Sequence, residues 1–574
     1  MDNATPIHSE YRRLRESCGY FSVEDQCLVS ASGKDTFKFL QSQTTNDILA
    51  LKVGQGQNSA VTDRKARLLA AFSAHRNSED SVLFLLEKTL KRDLLECLNA
   101  YLFREDVKFS DELRQDFLLA IQGPKSALVL QNLDGALTLP EKPNDIAQFV
   151  LEGEEVLIVN KSLTGEEGFI LCFNRLLRDK MVQLAIEAGK KHGITPIRPE
   201  TREILRIEAG IPIFGKDMDS KNILPETGLE HTSVSYNKGC YIGQEVIARV
   251  KTYGAPAGAL MGLVFEGESL PPSGSEMRMN GRKIGAIRSG TFSHALGKNV
   301  ALAYLQKEFR SPDAEMDVVV NERSYRVKTV LLPFYQAPSR NDHALVLLGR
   351  ALKHYKEEDD LEKPIALLRE AIDLAPKLSQ AYEALGVLLS KQGKLDEAIS
   401  LMKRLAEIDP REIMAHANLS IYYMKQGRVE DAENEKAEAA ALQFEKIVSE
   451  NMAKKAQKLD EEKRRAEREN KIGMFKKVLE IDPADQVANF GLGSIYLEMG
   501  RYEEALQPLR VLVETYKDYS AAYLLLGKTL EKSNAPREAV EIYRKGIAAA
   551  SKKGDLMPLK EMQTRMNQLL HSVP

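Results

Sequence analysis

Two hydrophobic periodicities divide the chain. Up to about Tyr335, short apolar runs such as residues 81–86 and 155–159 alternate with helical-period stretches such as 34–43 and 174–188, which predicts α+β structure. After Gly254 the runs shorten again. Residues 260–265, 282–288, 301–305, 316–320 and 324–329, divided by Gly, Pro and Asn turns, predict five strands of a small antiparallel β-barrel. The pattern therefore places two α+β subdomains in 1–254, the barrel subdomain in 255–335 and a linker at 336–342.

From 343 to 574 the period is helical throughout and repeats every 34 residues, as Pro376 and Pro410 show; Pro483 closes a later unit. A small residue stands at the predicted helix crossings, at Ala398, Ala432, Ala505 and Ala539. Tyr382, Leu385 and Gly386, then Leu492, Gly493 and Tyr496, then Tyr523, Leu526 and Gly527, supply the matching large and small positions of the first helices. About five units resemble tetratricopeptide repeats, an all-α solenoid that binds a protein or peptide. In the first unit Pro364 replaces the crossing alanine and predicts that a helix begins there, because proline is tolerated in a first turn.

The register breaks at residues 441–471, where Phe444, Val448, Met452, Ala456 and Leu459 keep a helical stripe. Glu450/Lys454 and Glu461/Arg465 are favourable i,i+4 pairs, so the insertion reads as one long solvated helix. A nucleic-acid grip from Lys463, Arg464, Arg465 and Arg468 is disfavoured because neighbouring acids nearly cancel the charge. Residues 558–570 read as a polar capping helix.

Composition adds exclusions. With 43% hydrophobic and 28% charged residues the chain can build several cores, and a net charge of -3 creates no overall field toward nucleic acid or anionic membrane. A polar start and the lack of about 18 consecutive apolar residues predict a cytoplasmic protein without a membrane span. Five widely spaced cysteines offer neither a disulfide framework nor a C-x-x-C metal pair, so no stably bound metal is predicted.

Candidate chemistry concentrates in Lys238-Gly-Cys-Tyr-Ile-Gly-Gln-Glu245. Gly239 and Gly243 permit close backbone approach, Lys238 offers a cation, Gln244 and Glu245 an amide and a carboxylate, Tyr241 a ring and Cys240 a thiol. A cysteine near a helix start and beside a lysine ionises more readily than a free one. Taken alone, a lone cysteine is more often core than reactive.

This motif resembles the signature of the YgfZ family of folate-binding proteins, relatives of the glycine-cleavage T-protein. Residues 33–47, the segment Leu205 to Gly215 with Asp217 and Asp219, and Pro333-Phe-Tyr335 resemble further superfamily segments in the same order. The resemblance implies a ring of subdomains around a tetrahydrofolate pocket. It implies that Glu208 recognises the pterin, that Lys238 reaches a folate carboxylate, and that the rest of the motif contributes to the site. Apart from the resemblance, Glu208 reads as a surface carboxylate paired with Arg206 or Lys216. Where the T-protein carries catalytic aspartates, this chain has Ala70 and Ala71, which cannot take a proton, so an active aminomethyltransferase is not expected. The resemblance then implies folate-dependent support of iron–sulfur cluster assembly or repair, with Cys240 as the functional thiol and partners among iron–sulfur proteins, tRNA-modifying enzymes included. A one-carbon transferase and a scaffold acting through its repeats are the alternatives.

Overall fold

The structure is a computed structural model and describes residues 6–111, 116–133, 137–357, 360–553 and 555–572. The chain forms two compact units, Met1–Glu433 and Asn434–Pro574.

In the first unit a five-stranded sheet runs in the order Gly56–Thr62, Leu68–Arg76, Ser81–Glu87, Gln26–Ser32, Lys108–Ser110. A six-stranded sheet has the order Thr195–Pro196, Gly19–Ser22, Asp116–Gln122, Gly168–Asn174, Glu154–Asn160, Ile146–Leu151. The sheets pack on each other through Leu28, Leu83, Leu85, Leu118, Leu157 and Ile170. Helices Thr36–Gln43 and Lys91–Asn99 cover the other face of the first sheet, burying Phe39, Leu40, Leu94 and Leu98 against Val82, Phe84 and Leu86. Helices Ser126–Leu133 and Arg178–Gly189 do the same for the second. This layering explains the unbroken apolar runs: in Ser81–Glu87 successive side chains enter opposite cores, so every interior position is apolar.

The barrel closes with six strands, in the order Gly258–Glu266, Lys298–Gln306, Arg282–Ser293, Glu276–Met279, Glu315–Val320, Arg323–Val330. The pattern of the sequence predicts five. The sixth, Glu276–Met279, has four residues and buries only Met277, too short an alternation to register as a strand.

The helical pairs begin with Arg340–Glu357, so the expected linker at 336–342 is shorter than predicted. Asp342 accepts hydrogen bonds from Ser339 N (3.0 Å) and Ser339 Oγ (2.7 Å), which caps that helix. Its partner Glu362–Leu374 carries Pro364 in its first turn, as the sequence requires. Ser379–Lys391 with Leu395–Ile408, then Ile413–Lys425, complete the array of this unit. The array packs on the six-stranded half: Leu128 joins its core, Lys125 Nζ lies 2.5 Å from Glu370, and Arg340 pairs with Glu167.

The next helix, Val429–Ile481, runs unbroken for 53 residues and ends in the second unit. Among its described residues from 433 to 471 none is buried, and Phe444 and Met452 are exposed. The side chains of Glu450, Lys454, Ala456, Leu459 and Glu461 lie outside the described residues. The second unit continues with Gln486–Glu498, Tyr502–Thr515, Ser520–Lys532, Pro536–Lys553 and the cap Leu556–Ser572. Ala398, Ala432, Ala505 and Ala539 are fully buried at their crossings. A side chain at Gly527 would meet the Tyr543 ring at 2.1 Å, so close packing demands glycine there.

Candidate functional site

Side chains at alternate positions of a strand share a face, and one face of the five-stranded sheet opens on a cavity of about 810 Å³. Its walls come from Ala71 and Leu85 of the sheet, Arg202 and Arg206 of helix Pro199–Glu208, Phe214 and Met218 of the following turn, Leu260 and Met261 of the barrel, and Pro333. The groove beside the C-terminal helix, at Lys560, Glu561 and Arg565, is smaller at about 580 Å³ and open to solvent.

Gln26 pairs with Glu87 across two strands, and Phe72 pairs with Leu86; one step past that last pair lie Ala71 and Glu87. Gln26, Glu87 and Ala71 all line the cavity. Gln26 Nε2 donates to Glu87 Oε1 at 3.4 Å, and Arg202 Nη2 donates to Asp25 Oδ2 at 2.7 Å. Burial, and secondly the Asp25 charge, push the Glu87 carboxyl above its ordinary range. Lys161 follows strand Glu154–Asn160 into the same wall and donates to Ser73 Oγ at 2.9 Å. Burial holds its ammonium down to about 8, and the residue as a whole is half-buried. His75 reaches the same Ser73 Oγ (3.1 Å) and the Asn144 carbonyl (2.7 Å), and burial lowers it to about 3, so it is neutral.

Glu87 and Lys161 belong to no motif of the sequence. Their one signal is position: each charged residue ends a run of buried apolar ones, where a strand leaves the core at a site edge.

The residues that were singled out lie elsewhere. Glu208 is fully buried; its Oε2 accepts from Arg15 Nη2 (2.6 Å) and Tyr11 (2.7 Å), its Oε1 from Ser293 Oγ (2.6 Å) and Ala295 N (3.1 Å). Arg15 also binds Glu166 (2.8 Å) and stacks on Tyr335 (3.8 Å). Glu208 thus ties the N-terminal helix Pro6–Glu16, its own helix and the barrel together, and is not among the cavity-lining residues. The surface pairing with Arg206 or Lys216 is not found either: Arg206 binds Asp217 (2.6 Å) and Glu203, and Lys216 approaches Glu203.

Lys238 is buried and donates to the carbonyls of Thr44 (2.6 Å) and Asn46 (2.9 Å), so its ammonium braces a loop and does not enter the cavity. Burial lowers it to about 8. Tyr241 packs with Ala66, Leu68 and Ile247. Gly243 precedes helix Gln244–Tyr253 at φ +86°, where a side chain would meet Thr62 Oγ1 at 2.6 Å and the Asp63 carbonyl at 2.7 Å. Gly239, Cys240 and Glu245 are exposed and Gln244 is half-buried; none of the motif lines the cavity. Ala70 points into the core and Ala71 into the cavity.

Residues 2–238 match the GCVT N-terminal domain and residues 259–336 the glycine cleavage T-protein C-terminal barrel domain. An aminomethyltransferase of Halalkalibacterium halodurans is 32% identical over 344 residues, 58% of this chain and 90% of the relative. The chain belongs to the glycine cleavage T-protein family. An aminomethyltransferase of Bacillus subtilis is 29% identical over 336 residues, 58% of this chain and 91% of that protein. The glycine cleavage system aminomethyltransferase T of Bartonella henselae superposes with a TM-score of 0.53 at 20% identity, over 58% of this chain and 90% of that one, which shows the shared fold. The T-protein portion thus ends where the helical pairs begin. Residues 355–413, 389–443 and 472–528 match tetratricopeptide repeats.

The helices hold no segment long and apolar enough to cross a membrane, and no group of three metal-ligating side chains occurs, both among the described residues.

Proposed function

We propose that the T-protein portion binds tetrahydrofolate in the 810 Å³ cavity and acts on a one-carbon unit there, in the manner of an aminomethyltransferase, while the repeats recruit a protein partner. The observation that supports it is the cavity itself, lying within the portion similar to aminomethyltransferases. Its size suits a ligand of this class. Its chemistry suits it too: Leu85, Phe214, Met218 and Leu260 offer apolar surface to a ring, Glu87 an acceptor for ring N–H groups, and Arg202, Lys161 and Lys216 cations for an acidic tail. Bound tetrahydrofolate would supply the nitrogens that take up a one-carbon unit. The chain's part is to orient the ring, exclude water and hold charge against it. The test is incubation of the full chain with tetrahydrofolate and an aminomethyl thioether (R–S–CH2–NH2), a donor already at the oxidation level of the methylene product, following methylenetetrahydrofolate by absorbance together with the ammonia and thiol released. Formation above the protein-free rate is the expected result.

A second reading, YgfZ-type support of iron–sulfur assembly or repair, is favoured by the exposure of Cys240, together with the resemblance that sets Ala70 and Ala71 where the T-protein carries aspartates. Saturable folate binding without turnover, together with loss of four-iron enzyme activity in cells carrying Cys240→Ala, would select it. In either reading the repeats serve protein contact.

A further inference from the structure

Glu87 stands apart from the charged groups around it. Asp25 is bound by Arg202 at 2.7 Å, and Lys161 by Ser73 at 2.9 Å. For Glu87 the one side-chain donor among the described residues is Gln26, at a long 3.4 Å. Its carboxyl nevertheless faces the cavity from a desolvated wall, where an acceptor without a strong donor is costly. A ligand donor would relieve that cost.

The second observation is positional. Ala71 and Glu87 follow directly on the Phe72–Leu86 pair of two adjacent antiparallel strands, whose backbones lie about 4.8 Å apart. Both residues line the same cavity. The wall therefore has a small, uncharged position and, on the neighbouring strand, a carboxylate able to cover it. We infer that Glu87 presents its carboxylate to the N–H-bearing ring nitrogens of the ligand, occupying the anionic post beside Ala71. Gln26 positions it, its amide holding one oxygen, and the Arg202 and Lys161 charges partly offset the burial and the Asp25 charge that disfavour the ionised form. The alanine is then part of the site, because it leaves room for the longer glutamate to reach across.

The inference rests on the tetrahydrofolate reading, and relocating the charge separates the two. Tetrahydrofolate is titrated calorimetrically into the full chain, into Glu87→Gln and into the double variant Glu87→Gln with Ala71→Asp, with thermal melting as the folding control. Wild type is expected to bind one equivalent, Glu87→Gln to bind at least tenfold more weakly at an unchanged melting temperature, and the double variant to recover to within about threefold of wild type. A structural glutamate would not be rescued by a carboxylate on the next strand. Equal binding by wild type and Glu87→Gln overturns the inference and leaves the folate reading standing. Weak binding by both variants overturns the shared-post geometry, and no binding by wild type overturns the folate reading itself.

Discussion

At the residue scale, the half-buried Lys161 and the buried Lys238 share a similarly depressed ionisation but have opposite consequences, because their partners differ. Lys161 has one hydroxyl partner, and that hydroxyl keeps His75 if the lysine is removed. Its folded value of about 8 lies below the ordinary 10.5, so between these pH values the unfolded chain holds the extra proton and stability rises with pH. Below pH 8 the full cost of the buried charge is present. Lys161→Met is therefore expected to raise stability at pH 7 by about 1–2 kcal/mol, a discounted share of the roughly 1.4 kcal/mol per pKa unit, and to lose that advantage by about pH 10.5. Urea melts at pH 7 and 10.5 check this, and a gain independent of pH would contradict it. Lys238 instead satisfies two backbone carbonyls. Lys238→Met is expected to cost about 1–3 kcal/mol by leaving both without a donor, yet to change tetrahydrofolate affinity less than threefold. A large loss of affinity at constant stability would return Lys238 to the ligand.

At the element scale, the Lys238–Glu245 segment works as a brace. Gly243 fits against the Thr62–Ala66 turn and Thr62 Oγ1 donates to the Ile242 carbonyl at 2.7 Å, so the segment locks the turn that leads into the Ala70/Ala71 strand. Gly243→Ala adds a methyl group where no space exists, at a backbone angle that disfavours it. We expect a loss of about 2–4 kcal/mol, read as a lowered denaturation midpoint. Much of this architecture was legible in the sequence: short apolar runs marked the strands of the sheets, the 34-residue period marked the helical pairs, and Pro364 marked a helix start. The strand Glu276–Met279 was not, being too short for its alternation to stand out. The Lys238–Glu245 motif was legible, but none of it lines the cavity. Glu208 and Lys238 look functional because charged residues in a specific motif look functional, and only three-dimensional packing shows their partners to be protein atoms. Glu87 and Lys161 carry no motif, and the fold alone aims them at one cavity.

At the scale of the whole molecule, a T-protein portion and its first repeats form one compact unit, joined at Leu128, Lys125–Glu370 and Arg340–Glu167. The long helix leaves that unit, and from 433 to 471 none of its described residues is buried. Apart from the Arg468–Glu498 and Glu469–Arg501 pairs near its end, burial gives such a stretch little protection, so local opening there is less costly than in packed helices. Limited trypsin digestion is expected to cut first between Lys463 and Lys471 and to release two stable fragments; first cleavage near Arg340 would contradict this.

The claim on which the account turns is that the cavity beside Ala71 takes tetrahydrofolate. Calorimetric titration of the full chain, paired with an Ala71→Phe variant that fills the cavity, tests it most directly. Saturable binding of one equivalent to the wild-type chain and at least tenfold weaker binding to the variant are expected. Absence of saturable binding to the wild-type chain, or equal binding to both, would contradict it.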